Sequence, residues 1–393
     1  MTTVDIPTRA QLVRRATDLV PLLRSGADRA QRDGRLSDDT VEALTEAGAY
    51  RLRVPRRYGG HEVDTRTLVE FATELARGDG SAAWSASVTW IPTYMACMFP
   101  DEVQDEVFST PDVRLCGTLS PSAQAVPASG GITVNGGWGF VSGAPHAHWQ
   151  QILAVLIDGD KPPMPVMALV PMNELKIVDD WDSHGLRGTG SVTTVAENVF
   201  VPRERILPLP AVLAGQYASV ANKESAVYRA PLLPVASASS VGTAVGLAMA
   251  ARDLFMERLP ERGLTYTSYG TQAEAAQTHL KVAEAHLLAD EAVFHAHRLA
   301  DQVDAKSGAG EEWSAAERSR ARADLGAAVR RAGEAVDILA GASGGSSVYR
   351  RVPIQRILAD INAVALHALM NPDVNTELYG RVLCGLEPNT QYL

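Results

Sequence analysis

The chain has 393 residues, a formal net charge of -10 and 46% hydrophobic residues, a composition that leaves room for two or three folded domains. The acidic balance argues against nucleic acid as a partner, because phosphate contacts require clustered Lys and Arg. No run approaches about twenty unbroken apolar residues, and the N-terminus lacks an apolar segment followed by a small-residue cleavage site. We therefore expect no membrane span, no signal peptide and a cytoplasmic location.

The Cys and His residues do not form a metal-ligand pattern. Cys97, Cys116 and Cys384 share no ligand spacing, and we interpret them as reduced thiols buried as small apolar groups. His295 and His297 lie two apart, which places them on different faces of a helix. The sequence therefore predicts no metal site.

Hydrophobic periodicity divides the chain into three parts. Residues 1–113 read as helical, with Ser37 placed to cap a helix over 36–47 and the apolar three-and-four spacing repeated over 67–76. Residues 114–216 contain short β-branched or alternating runs at 131–134, 151–157, 165–170 and 192–201, which predict a compact antiparallel β domain. Residues 217–393 are Ala-rich and predict long helices over 236–258, 272–303 and 317–339, with an exposed loop at 305–312.

Several short segments occur in a particular order along the chain: GSAAW at 80–84, GWGFVSG at 137–143, WDSHGLRGTGS at 181–191, VFVP at 199–202 and RILADINAVALH at 356–367. This set of segments resembles the acyl-CoA dehydrogenase superfamily, and within it the flavin-dependent monooxygenases. These include the oxygenase component of 4-hydroxyphenylacetate hydroxylase, actinomycete antibiotic hydroxylases and amino-sugar nitrososynthases. The resemblance implies an α+β fold with an N-terminal helical domain (1–113), a central antiparallel β-barrel domain (114–216) and a C-terminal four-helix bundle (217–393).

The resemblance also implies a flavin site. The segment around Ser142 would lie along the flavin ring, where small residues let the backbone approach and the hydroxyl bonds the flavin N5 edge. The loop 185–191 is dense in glycine and hydroxyls, as a loop beside a flavin edge or phosphate is. A Gly-closed hairpin and a tight turn are the structural alternatives. The residues implied to contact the flavin here are Trp84, Phe140, Val141, Ser142, Gly143 and Thr189.

A second set of cofactor residues follows from the resemblance. Backbone N–H groups and hydroxyls at Ser343, Gly344 and Gly345 would hold a flavin phosphate or diphosphate, and Arg262 matches a cofactor-contacting arginine. In the superfamily the 343–345 region comes from a neighbouring subunit, so a homo-oligomer, dimer or tetramer, is implied. A helix C-cap with a turn and a solvated arginine are the alternatives.

The site lacks the base that a dehydrogenase of this fold needs to remove a carbon-bound proton. The residue eight after Asp360 is Ala368, and the stretch 237–250 contains no acid. His367 instead matches a histidine that monooxygenases place in the flavin cavity, where it would donate to the peroxyflavin or relay its proton. A structural histidine is the alternative.

The implied chemistry is that of a monooxygenase in which reduced FAD or FMN reacts with O₂ to give a C4a-hydroperoxyflavin, with His367 and Ser142 as catalytic residues. The chain has no GxGxxG fingerprint for NAD(P)H. A separate flavin reductase, acting transiently or by diffusion, is therefore the expected partner.

The substrate prediction depends on a departure from the family. Pro92 stands where phenol hydroxylases carry a histidine thought to help deprotonate the phenol, which suits a substrate that reacts without proton loss, such as an indole or polyketide ring. Trp90, Tyr94 and His146 are predicted to line the pocket, with core packing as the alternative. We predict aromatic hydroxylation in secondary metabolism, such as antibiotic biosynthesis. N-oxygenation of an amine or amino sugar, sulfoxidation, dehydrogenation and non-catalytic flavin binding stay open.

Overall fold

The computed structural model describes residues 6–393, and it confirms the predicted order of helices, sheet and helices. Ser37 caps the second helix as predicted, because its hydroxyl accepts from Thr40 N at 3.3 Å. The N-terminal helices are α1 (Arg9–Asp33), α2 (Asp38–Glu46), α3 (Thr65–Gly78), α4 (Gly80–Ala96) and α5 (Asp101–Val107).

The central part is one eight-stranded sheet. Its strand order is β6-β7-β3-β2-β4-β5-β8, and β1 pairs with β4. The strands are β1 (Leu115–Gly117), β2 (Ala123–Ala128), β3 (Gly131–Val141), β4 (Trp149–Leu156), β5 (Met164–Pro171), β6 (Lys176–Val178), β7 (Val192–Pro202) and β8 (Ile206–Pro208).

The sheet is mixed, which corrects the prediction of a purely antiparallel barrel. Strand β3 returns beside β2 as a hairpin, and the chain then crosses to the other edge of β2, so that β4 runs parallel to β2 and to β1. Among the described residues no hydrogen-bonded pair joins β6 to β8, and the sheet is open. Alternation along one strand shows which face is buried but not which strand lies beside it.

The C-terminal part is helical, with α8 and α9 packed along each other and α7 packed against both. A short helix, α6 (Leu209–Leu213), follows the sheet. The longer helices after it are α7 (Leu232–Arg258), α8 (Ala276–Ala309), α9 (Ala315–Ala342), α10 (Ile354–Leu366) and α11 (Pro372–Leu383). Helix α8 continues through most of the predicted loop at 305–312, including Gly308, and ends where Gly310 adopts φ +68°.

The two helical parts share one core across α3 and α7. Gly242 and Gly246 of α7 allow this close approach, since a Cβ at Gly246 would overlap the carbonyl oxygen of Thr73. Residues 232–261 are long and apolar enough to cross a membrane by length and composition, but 94% of the apolar window is buried inside the protein, as in a core helix. Cys97 and Cys116 are buried as predicted, whereas Cys384 is exposed after α11.

Candidate active site

Three hydroxyls and one indole form a continuous hydrogen-bonded chain where the sheet meets α4. Trp84 Nε1 donates to Ser142 Oγ at 3.2 Å, and Ser142 Oγ lies 2.7 Å from Ser191 Oγ. Ser191 Oγ lies 2.6 Å from Thr189 Oγ1, which donates to the carbonyl oxygen of Leu186 at 2.7 Å. Both ends of the chain are fixed, one by a donor and the other by an acceptor. Each hydroxyl therefore donates away from Trp84 and towards Leu186.

The backbone is irregular at the end of β3, immediately before Ser142. The register of β3 against β7 shifts between Trp138 and Val141, and Phe140 within this bulge has φ +61° and a 76% exposed side chain. Positive φ is rare for an aromatic residue and points to a functional constraint. Gly143 then turns at φ +75° and donates its N–H to the Thr189 carbonyl at 2.9 Å. Ser142 itself is half-buried.

Val141 differs from its neighbours, because its side chain is fully buried in the core of the sheet. Its predicted cofactor contact can therefore involve the backbone only. Gly143 has no atom within 4 Å of where a Cβ would stand, so the turn, rather than a close approach, requires glycine there.

His367 lies directly after α10 and packs edge-to-face on Trp84, with ring centroids 5.1 Å apart. Leu369 N donates to His367 Nδ1 at 3.2 Å, which assigns the ring proton of the neutral form to Nε2. His367 is exposed to solvent, and the protein atoms around the ring still desolvate it enough to lower its pKa to about 4. At neutral pH His367 is therefore an uncharged donor through Nε2.

Arg262 and Gly344 lie in direct contact, far apart in sequence. Gly344 has φ +59° and ψ -178°, a conformation open essentially to glycine alone, and a Cβ there would overlap the Arg262 guanidinium. Gly345 is exposed beside them. Ser343 is different: its hydroxyl donates to the Leu339 carbonyl at 2.8 Å, which is a helix-end bond, so it has no hydrogen left for a phosphate.

The residues predicted to line the substrate pocket lie apart. Trp90 is buried in the N-terminal core and donates to the Ala49 carbonyl, and Tyr94 is buried and donates to the Ala230 carbonyl. His146 Nε2 lies 3.0 Å from the Leu36 carbonyl oxygen and joins the sheet to the α1–α2 connection. These positions favour core and interface roles. Helix α4 is buried on nearly all sides, so a four-residue spacing on it does not mark a pocket.

Two residues of the site were not singled out by the sequence. Ser191 is the central hydroxyl of the chain, and Asp360 on α10 accepts from Leu186 N at 2.6 Å. The concentration of hydroxyl residues at 185–191 is the sequence feature that indicates Ser191. Asp360 enters the sequence analysis only as the position from which residue 368 is located. Within residues 6–393 no group of three His, Cys, Asp or Glu side chains is arranged to hold a metal ion.

A sheet between two helical blocks is the architecture of the acyl-CoA dehydrogenase fold, and this chain has no carboxylate at either position where a dehydrogenase of this fold carries its base. Residues 16–110 match the acyl-CoA dehydrogenase N-terminal domain model, and residues 238–372 match the C-terminal domain model.

The curated relatives and solved structures narrow the class. The chain is 30% identical to the flavin-dependent monooxygenase oxygenase subunit HsaA of Rhodococcus jostii, over 95% of this chain and 98% of that protein. It is 32% identical to the FADH(2)-dependent resorcinol hydroxylase oxygenase component of a Rhizobium species, over 97% and 96%. XiaF from a Streptomyces species, solved with FADH2 and glycerol, superposes with a TM-score of 0.93 at 30% identity, over 97% of both chains. The chain belongs to the acyl-CoA dehydrogenase superfamily, as an oxygenase component of the two-component flavin-dependent monooxygenases. Reduced flavin from a separate reductase is the cofactor of this class.

Proposed function

We propose that this chain hydroxylates a small aromatic molecule, with reduced flavin held against Trp84, Ser142 and His367. The observation that carries the proposal is the direction of the hydroxyl chain. Ser142 accepts from Trp84 and donates to Ser191, which leaves one lone pair of its oxygen free. A lone pair at this position suits the N5–H of a reduced flavin, whereas the N5 of an oxidised flavin needs a donor.

The surrounding side chains fit a flat aromatic ring. Phe140 lies two residues before Ser142, and Leu366 lies immediately before His367. Both side chains are more than three-quarters exposed. Such exposed apolar side chains, flanking a half-buried hydroxyl, are typical of ligand sites. Bound reduced flavin would activate O₂ and supply one oxygen atom to the substrate.

His367 would hold a proton at the reacting side of this site. Its Nε2–H is a donor that stays uncharged at neutral pH, so it can hydrogen-bond to a developing negative oxygen without introducing a permanent positive charge. Trp84 fixes the plane of the imidazole by its edge-to-face contact. Donation by His367 therefore favours oxygen transfer over release of H₂O₂.

The active form in this proposal is a homo-oligomer, dimer or tetramer. Arg262, Gly344 and Gly345 form their own small site, and the contacts of the described residues do not join it to Ser142 or His367. A neighbouring copy would bring the two sites onto one flavin. Helix α8 supports such packing, because Leu280, Leu287 and Phe294 expose a heptad-spaced apolar stripe on its surface.

Replacing Arg262 with Ala is expected to weaken binding of reduced FAD about fivefold and to leave FMN binding unchanged, because only FAD has a diphosphate that extends beyond the ring. The effect is modest because Arg262 is half-exposed, and a charge-assisted hydrogen bond at such a position contributes little. Titration of each flavin by fluorescence anisotropy, under anaerobic conditions, measures both constants. Arg258→Ala is the matched control, since Arg258 lies close by without being packed on Gly344. Equal loss for FAD and FMN would contradict a diphosphate contact.

The proposed substrate is an electron-rich ring that reacts without losing a proton, such as an indole or a polyketide ring of secondary metabolism, for example antibiotic biosynthesis. Pro92 lies inside α4 and has no side-chain proton to exchange. It also lacks an N–H and cannot donate to the Val88 carbonyl, so in this proposal that carbonyl accepts from an indole N–H of the substrate. N-oxygenation of an amine is the second candidate, because the same acceptor suits an amino group.

Turnover with a substrate panel tests the proposal. The purified chain is mixed with a flavin reductase, NADH, flavin and indole, a phenol or an amino sugar, and product and H₂O₂ are quantified. We expect blue pigment from indole and a high ratio of product to NADH. Turnover of the amino sugar alone would favour N-oxygenation. Anaerobic reduction of bound flavin by an acyl-CoA thioester would identify a dehydrogenase instead.

A further inference from the structure

Asp360 is a buried carboxylate that connects α10 to the loop carrying the active-site hydroxyls. Its side chain is 3% exposed, and its Oδ1 accepts from Leu186 N at 2.6 Å. Its Oδ2 lies against the first turn of α4, where a Cβ on Gly80 would stand 2.9 Å away. The residue before Gly80 is a second buried carboxylate, Asp79, which caps α4 by accepting from Ala82 N at 2.9 Å.

The loop is attached to α10 at two consecutive residues. Gly185 lies so close to α10 that a Cβ there would overlap the Ala359 carbonyl. Leu186 has φ +50°, a conformation unfavourable for leucine, and the Asp360 bond holds its N–H in place. The Leu186 carbonyl then accepts from Thr189 Oγ1, which is the end of the hydroxyl chain that leads through Ser191 to Ser142.

We propose that Asp360 is a positioning residue, whose carboxyl fixes Leu186 and thereby the Thr189–Ser191–Ser142 hydroxyls at the flavin edge. The inference rests on the proposed flavin site at Ser142. Among the described residues, no other side chain accepts a hydrogen bond from Leu186 N. Loss of the carboxyl therefore leaves Leu186 N without its acceptor and loosens the strained turn whose carbonyl ends the hydroxyl chain.

The charge of Asp360 changes near neutral pH. Burial, reinforced by the nearby Asp79 charge, raises the pKa of Asp360 from 3.8 to about 7, and burial also raises that of Asp79. The charged groups on the packed elements are Asp79, Arg356, Arg187 with its partner Asp182, and Asp28, which pairs with Arg356. Since the folded state holds the Asp360 proton more tightly than the unfolded state, its contribution to stability is complete below 3.8 and is lost as the pH rises through about 7.

Three variants test the positioning role. Asp360→Ala removes the acceptor, Asp360→Asn keeps an acceptor oxygen without charge, and Asp304→Ala is the matched control. Asp304 is also a largely buried carboxylate with a raised pKa that accepts two backbone N–H groups, from Thr65 and Arg66, but it lies on α8 away from the loop. We expect the flavin dissociation constant to rise about fivefold in Asp360→Ala, to return to within twofold of wild type in Asp360→Asn, and to stay unchanged in Asp304→Ala despite a lower Tm.

A second measurement uses the flavin-free protein and covers the case in which Asp360→Ala does not fold. The Tm of the wild type is expected to fall between about pH 4.5 and pH 7 more steeply than that of Asp360→Asn, which cannot ionise at this position. Parallel curves for the two proteins would overturn the titration of Asp360. Wild-type flavin affinity in Asp360→Ala would overturn its positioning role.

The failure of this inference can be distinguished from failure of the proposed function. If Ser142→Ala weakens flavin binding and Asp360→Ala does not, only the positioning role is wrong. If neither variant changes flavin binding, the flavin site at Ser142 is itself wrong.

Discussion

Replacement of His367 by Ala is expected to slow hydroxylation about a hundredfold, the usual contribution of a positioned proton donor, and to divert the reducing equivalents into H₂O₂. The physical reason is the loss of the Nε2–H, which the Leu369 N–H fixes by occupying Nδ1. Flavin affinity should change little, because the variant keeps the Ser142 hydroxyl and the Trp84 donor. The measurement is product and H₂O₂ per NADH consumed.

The pH profile separates a neutral donor from an imidazolium. Desolvation lowers the His367 pKa to about 4, so the ring should carry no charge between pH 6 and pH 9 and should add no inflection to the rate there. The pH dependence of stability due to His367 is opposite to that due to Asp360. The His367 contribution is complete above its usual pKa of 6.5 and is lost as the pH falls towards 4. His279→Ala, at an exposed histidine bonded to the Ala273 carbonyl, is the control. Unchanged coupling in His367→Ala would remove it from the mechanism.

Much of the fold was predictable because its signals are local. Ser37 with two following acids specified the start of α2, and the apolar periodicity specified α3, α7 and α9 within a few residues. The pairing of β2 with β4 was not predictable in this way. Parallel pairing depends on a crossover between distant segments, and a strand sequence that alternates buried and exposed residues is compatible with either neighbour.

The candidate site was predictable as segments but not as contacts. Family-like motifs pointed to Ser142, Trp84 and His367, and these side chains do meet. Ser191 and Asp360 act through bonds to residues 49 and 174 positions away, and no spacing rule identifies such partners. Trp90 and Tyr94 were predicted from their spacing to line a pocket, and spacing alone was misleading. Aromatic residues on a helix that is buried on nearly all sides belong to the core unless a cavity lies beside them.

Replacement of Ser142 by Ala is expected to weaken binding of reduced flavin about tenfold, which corresponds to one lost hydrogen bond together with a buried donor left without its acceptor. That donor is Trp84 Nε1, and Ser191 loses its partner at the same time. Anaerobic titration of reduced flavin measures the change. Ser122→Ala is the control, because this exposed hydroxyl donates to the Gly137 carbonyl in the middle of β3 and takes no part in the Ser142 chain.

The direction of the hydroxyl chain gives a sharper test at Ser191. In the wild type the Ser142 hydrogen points to Ser191, so Ser142 offers only a lone pair to the flavin and should prefer the reduced form. Ser191→Ala releases this hydrogen, and Ser142 can then donate to the N5 of oxidised flavin. We therefore expect Ser191→Ala to narrow the ratio of reduced to oxidised flavin affinity about fivefold, mainly by strengthening the oxidised complex, while Ser142→Ala weakens mainly the reduced complex. An unchanged ratio in Ser191→Ala would show that the chain does not orient Ser142, even if Ser142 binds the flavin.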